Sequence, residues 1–197
     1  TPEAATTGQA RLSANMREAN NFTSSFGVGG GRLLGCQLLD HQGDTALRLT
    51  EAQVVELQVD CLADEGIHNP IVGFFIKDRL GQPVCGVNTL RFMPEWQLVS
   101  AGAPTRVSFR FHLPLLATGD YTITVSLASG TQTEHVQHHW VHDILSFKSA
   151  ADEHLLGLFT LTDIDCQHAM LSLTDCEAER SLPALQPVSS TKAIPPA

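Results

Sequence analysis

Apolar and polar residues alternate with a period of two through the middle of the chain. In "VVELQVDC", Val55, Leu57, Val59 and Cys61 fall on one side and Glu56, Gln58 and Asp60 on the other. Successive side chains of a strand point to opposite faces, so this is the pattern of a half-buried strand. "RVSFRFHL" repeats it, with Val107, Phe109, Phe111 and Leu113 against Arg106, Ser108, Arg110 and His112. "DYTITVSL" sets Tyr121, Ile123, Val125 and Leu127 against Thr122, Thr124 and Ser126. Further strands are expected at "LLGCQLLD", "IVGFFIKD" and "PVCGVNT", around "VQHHWVHD" continuing into "ILSFKS", and at "LLGLFTLTD". Turn signals separate them at His41-Gln42-Gly43-Asp44, Asp78-Arg79-Leu80-Gly81, Ala117-Thr118-Gly119-Asp120 and Ala128-Ser129-Gly130. Many short strands without an amphipathic helix predict an all-β fold, an antiparallel β-sandwich.

One stretch departs from ordinary composition. "EHVQHHWVHD", Glu134 to Asp143, holds four of the nine histidines around one of two tryptophans. A helix would put His135, His138, His139 and His142 on one face, as a metal site needs. A strand instead puts Val136, His138, Trp140 and His142 on one face and His135, Gln137, His139 and Val141 on the other. The strand reading excludes a four-histidine site. It leaves a two-histidine site completed by Asp143 or a neighbouring strand, or a surface strand with solvated imidazoles. No metal is expected.

Composition sets the remaining bounds. A chain of 197 residues, 17% charged and 43% hydrophobic, suits one domain with tails. Residues 1–25 read as a linker from a missing N-terminal domain, 26–165 as the sandwich, and 166–197 as a C-terminal extension carrying several prolines. No apolar run approaches bilayer length and no signal peptide pattern opens the chain. A formal charge of −9 opposes nucleic acid and anionic lipid as partners, so neither nucleic-acid binding nor direct membrane insertion is expected. The five cysteines are odd in number, widely spaced and without a CxxC pair, which fits a reducing, cytoplasmic compartment.

Chemistry-bearing motifs are missing from the sequence. "GVGGGRLLG" leads into a strand rather than a helix, so it lacks the helix N-terminus on which a phosphate loop depends. No GxSxG, HExxH or paired zinc cysteines occur, and the carboxylates are scattered over turns and outward faces. A non-enzymatic domain without a cofactor is expected. Two outward rows stand out: Arg106, Ser108, Arg110 and His112, and Phe75 with Lys77, opposite to Val72, Phe74 and Ile76. Each is either solvated surface or a sugar-binding face, in which aromatic rings stack on sugar C–H patches and planar polar groups take hydroxyls.

The order of elements resembles a known family. "SSFGVGGGRLLGCQLLDHQGD", then "NPIVGFFIKDRLGQPVCGVNT", "VSFRFHLPLLATGDYTITVSL" and "WVHDILSFKS" are similar to the C-terminal domain of Wzt-type proteins, nucleotide-binding subunits of ABC transporters that export lipopolysaccharide O-antigen. The resemblance spans about residues 25–165. It implies an immunoglobulin-like sandwich behind an ATPase domain of the same chain, acting with the transporter's membrane subunit. It also implies a cytoplasmic place at the inner membrane, binding of the capped non-reducing end of the O-antigen polysaccharide, and a homodimer that exchanges its last strand. The family supplies no fixed binding motif. The candidate carbohydrate-binding residues therefore come from chemistry: Trp140, His138 and His142, with Asn88, Arg91 and Trp96 near the Asn-Thr strand end, and Arg106 and Arg110 as a second row. Trp140 has an alternative as core. The competing function is a structural or dimerisation domain without glycan specificity. A glycan-modifying enzyme would instead need two converging carboxylates.

Overall fold

The computed structural model describes Arg17, Glu18, residues 24–150, Leu155 and residues 157–159. The described strands are β1 (Arg17–Glu18), β2 (Ser25–Phe26), β3 (Gly31–Leu39), β4 (Arg48–Leu49), β5 (Gln53–Ala63) and β6 (Ile67–His68). They continue as β7 (Pro70–Lys77), β8 (Pro83–Asn88), β9 (Leu98–Val99), β10 (Thr105–Leu113), β11 (Gly119–Gly130) and β12 (His135–Ser149). A 3-10 turn, Thr89–Arg91, follows β8. One sheet runs β1-β3-β5-β10; the other runs β2-β12-β11-β7-β8, with β4 beside β12 and β6-β9 as a separate ribbon. This is the expected antiparallel sandwich, with a parallel pair between β4 and β12 and a parallel bridge between Ala63 and Ala101. β1 lies inside the stretch read as a linker. Of "LLGLFTLTD", only Leu155 and residues 157–159 are described, and Phe159 bridges Leu116; the extension at 166–197 lies outside the described residues.

The period-two residues meet between the sheets. Val55, Leu57, Val59 and Cys61 of β5 are buried against Ile123, Val125 and Leu127 of β11 and Val72, Phe74 and Ile76 of β7. Each fully buried side chain of this size contributes roughly 1.5–3 kcal/mol through removal of apolar surface from water. Phe74 sits edge-on to Phe109 at 5.1 Å and stacks on Phe111 at 5.4 Å, tying β7 to β10 across the core. The Tyr121 hydroxyl, at the start of β11, donates to the Ala117 carbonyl at 2.8 Å. This is the tyrosine corner found in immunoglobulin domains. Burial pushes the Cys36 and Cys61 thiols up to about 12, with the nearby Asp60 charge adding to the effect.

The turns form where their residues provide the hydrogen bonds. Asp40 Oδ1 accepts from the Gln42 and Asp44 amides, and Asp78 Oδ1 from Leu80 and Gln82, each at 2.8–3.0 Å. These are the Asx turns that short acidic side chains favour.

β12 breaks strict alternation twice. Leu127 pairs with His139 but Ala128 pairs with Gln137, so His138 is the extra residue of a β-bulge. Ile123 pairs with Leu145 and Val125 with Val141, so a second irregularity covers residues 142–144. There Asp143 takes a left-handed φ of 51°, tolerated by a short acidic side chain that bonds locally. Its Oδ1 accepts from Thr122 Oγ1 at 2.8 Å and lies 2.7 Å from Lys77 Nζ. Burial raises the Asp143 pKa, but the Lys77 and Thr122 hydrogen bonds and the Lys77 charge outweigh it and hold the carboxyl below its ordinary range.

Candidate functional site: a groove on the outer face of the six-stranded sheet

A single cross-strand row builds the site. Phe26 pairs with Trp140, Trp140 with Ser126, Ser126 with Gly73, and Gly73 with Asn88. Side-chain size along this row runs from two aromatics through two small residues to an amide. The surface therefore drops behind the aromatics and rises again at β8. The resulting groove has a volume of about 350 Å³, at the small end of the range of roughly 300–1,000 Å³ usual for small-ligand sites.

Its aromatic wall is continuous. The Trp140 ring lies 5.9 Å from Phe26, 5.8 Å from Phe75 and 5.8 Å from His142, and its Nε1 donates to His142 Nδ1 at 3.3 Å. Phe26 reaches Trp140 because residues 27–29 are bonded to β12: the Val28 amide donates to the Gln137 carbonyl and the Gly29 amide to that of His138. Position 27 must be glycine, since a Cβ there would lie 2.1 Å from the His138 carbonyl oxygen. Gly86 plays the matching part on the floor. It pairs with Phe75, and a Cβ would meet that ring at 2.5 Å and the Phe74 carbonyl oxygen at 2.7 Å.

The polar wall comes from β8 and the β11–β12 loop. Thr131 Oγ1 accepts from the Glu134 amide at 3.0 Å and holds the loop closed. Asn88 Nδ2 donates to Gln132 Oε1 at 2.9 Å, joining the loop to the end of β8. The same Asn88 caps the 3-10 turn by accepting from the Leu90 amide. Ser126, Gln137 and His135 complete the polar lining.

The sequence-predicted residues divide between this groove and other places. Trp140 and Asn88 line it together, and His142 packs beside Trp140. The bulge corrects the expectation that His138 shares their face. Its Nε2 lies 2.8 Å from Ser129 Oγ and its Nδ1 2.8 Å from the Gly29 carbonyl, so it fastens the β2–β3 link. His139 likewise accepts from the Leu33 amide at 3.0 Å and joins β12 to β3. Arg91 is exposed, with its guanidinium 5.8 Å from the Phe92 ring, and Trp96 packs half-buried on the core edge. Neither lines the groove. Arg106 and Arg110 belong to β10 in the other sheet. Arg106 is bound at both ends to Asp60, Nε to Oδ1 at 2.6 Å and Nη2 to Oδ2 at 2.7 Å. Among the described residues no group of three or more His, Cys, Asp or Glu is placed to hold a metal.

A larger cavity of about 540 Å³ opens between the edge strands β8 and β10, lined mainly by apolar side chains such as Phe74, Phe92, Met93, Phe109 and Phe111. It offers few partners for sugar hydroxyls.

Comparison with known proteins gives the family. The profile of the Wzt C-terminal domain matches residues 23–161, well over half of the chain. The chain belongs to the Wzt C-terminal domain family. A crystal structure of the C-terminal domain of Wzt superposes with a TM-score of 0.66 at 18% identity, covering 73% of this chain and 87% of that one. At that identity the likeness speaks to the fold. No curated protein matches. As a Wzt C-terminal domain, the chain is a non-catalytic part of an ABC-transporter subunit. Among the described residues no helix is long and apolar enough to cross a membrane.

Proposed function

We propose that this Wzt C-terminal domain binds the capped non-reducing end of the O-antigen polysaccharide, and that the outer-sheet groove is where it does so. The observation that carries the reading is the groove's two-sided chemistry, an aromatic wall of Trp140 and Phe75, with Phe26 stacked behind Trp140, facing the amides of Asn88 and Gln132. Sugars present apolar C–H faces and rings of hydroxyls, and such a pairing satisfies both. In this reading an ATPase domain of the same subunit lies N-terminal to the sandwich and works with the membrane subunit on the cytoplasmic side, so that binding couples chain completion to export. The domain acts as a homodimer, and the apolar slot between β8 and β10 supports a site for a strand exchanged from the second copy.

A pull-down of purified O-polysaccharide with and without its terminal modification tests this. Capped polymer should be retained and uncapped polymer should not; equal retention removes the end specificity. Retention of neither leaves the structural or dimerisation role. Trp140→Ala should abolish retention while the domain keeps its fold, because the half-buried indole packs on the outer face and not in the core between the sheets.

A further inference from the structure

The groove is polar without being charged. Among the described residues that line it, the polar side chains are the amides Asn88, Gln132 and Gln137, the hydroxyls Ser126 and Thr131, and one imidazole, His135. No lysine or arginine side chain is among the described residues that line it. Lys77 lies 2.7 Å from Asp143, Arg91 lies over Phe92, and Arg106 is held by Asp60 on the other sheet. The chain carries a formal charge of −9, which adds a repulsive field for any anion. Seating a phosphate here would strip its hydration without a counter-charge, which is costly, whereas sugar hydroxyls exchange water for amide partners at little net cost.

The polar wall is tied together. The Asn88–Gln132 hydrogen bond joins the β11–β12 loop to β8, at the opposite end of the cross-strand row from Phe26. A sugar seated on the aromatic wall therefore meets the two amides with its opposite edge.

We propose that the groove receives an uncharged terminal sugar, seated with its apolar face on Trp140 and Phe75 and its outermost hydroxyls or neutral substituent at Asn88 and Gln132. This rests on the glycan-binding reading above and adds the electrical character of the recognised end. An anionic, phosphate-bearing end is excluded from the groove.

Isotope-labelled chain titrated with neutral methyl hexosides and methyl 6-deoxyhexosides, and in parallel with hexose 6-phosphates, provides the test by NMR. At least one neutral glycoside should shift the amides of Gly73, Gly86 and Ser126. Hexose 6-phosphates should bind about tenfold more weakly, and the neutral-ligand Kd should change less than about twofold between low and high salt, because screening acts only on charge. Tighter binding of the phosphates at these amides, or a Kd that rises several-fold with salt, overturns the uncharged-end proposal and leaves the groove as a glycan site. If no probe of either class shifts these amides, the proposal and the glycan-binding reading of the groove fall together.

Discussion

Replacing Arg106 by alanine separates a structural role from a binding one. Arg106 makes a bidentate pair with Asp60, whose side chain is only 7% exposed, while that of Arg106 is 22% exposed. The hydrogen bonds to Asp60 raise the Arg106 pKa further, so the guanidinium stays charged at any accessible pH. Removing it leaves a carboxylate buried without its partner. Breaking a buried pair in this way costs about 3–5 kcal/mol. The space vacated by Arg106 admits some water to Asp60, so a loss of about 2–4 kcal/mol is expected for Arg106→Ala at pH 7. With a urea slope of about 2 kcal/mol per molar, mid-range for a small domain, the unfolding midpoint should fall by about 1–2 M. A double replacement, Asp60→Leu with Arg106→Met, should recover most of the stability. Glycan retention should survive in every folded variant. An unfolding midpoint unchanged within about 0.3 M, together with lost glycan binding, would refute the argument and make the Arg106–Arg110 row the binding surface.

Three further outcomes are expected. Gly86→Ala should destabilise the fold by about 1–3 kcal/mol, since the Phe74 carbonyl cannot move away as a side chain could. It should also weaken glycan binding by displacing Phe75, read from the same urea melt and pull-down. Burial holds the His139 imidazole below its ordinary pKa. Its contribution is thus complete above the unfolded value of about 6.5 and is lost as pH falls from there through the lower folded value. His139→Gln should flatten that part of the stability profile, and an unchanged slope would show that other groups carry it. Gln132→Ala should change the unfolding free energy from the urea melt by less than about 0.5 kcal/mol, as an exposed loop residue, yet reduce affinity for capped polymer in the pull-down.

The fold was legible wherever a single face of a strand carries the apolar residues. β5, β10 and β11 follow strict alternation because each buries one side against the opposite sheet and leaves the other to solvent or polar partners. β12 was legible as a strand but not in its side-chain directions. Its bulge at His138 depends on the β2–β3 link crossing above it, a contact between residues more than 100 positions apart. The left-handed Asp143 depends on Thr122 and Lys77 in two other strands. The site was half legible for the same reason. Trp140 and Asn88 carry suggestive chemistry in their own segments, and Phe75 could be read as outward-facing. Phe26 sits among serines and glycines, and Gln132 is an ordinary loop amide; only the strand order brings them to the groove. Arg106 looked like a ligand residue from its row on β10, but its register partner on β5 is Asp60.

The Thr131–Glu134 loop connects the two longest strands without contributing to the core. A few substitutions there would redraw the polar wall of the groove while leaving both stacked layers intact. Recognition in this lineage can thus diversify at almost no folding penalty, with the sandwich serving as a constant chassis under an exchangeable fingertip.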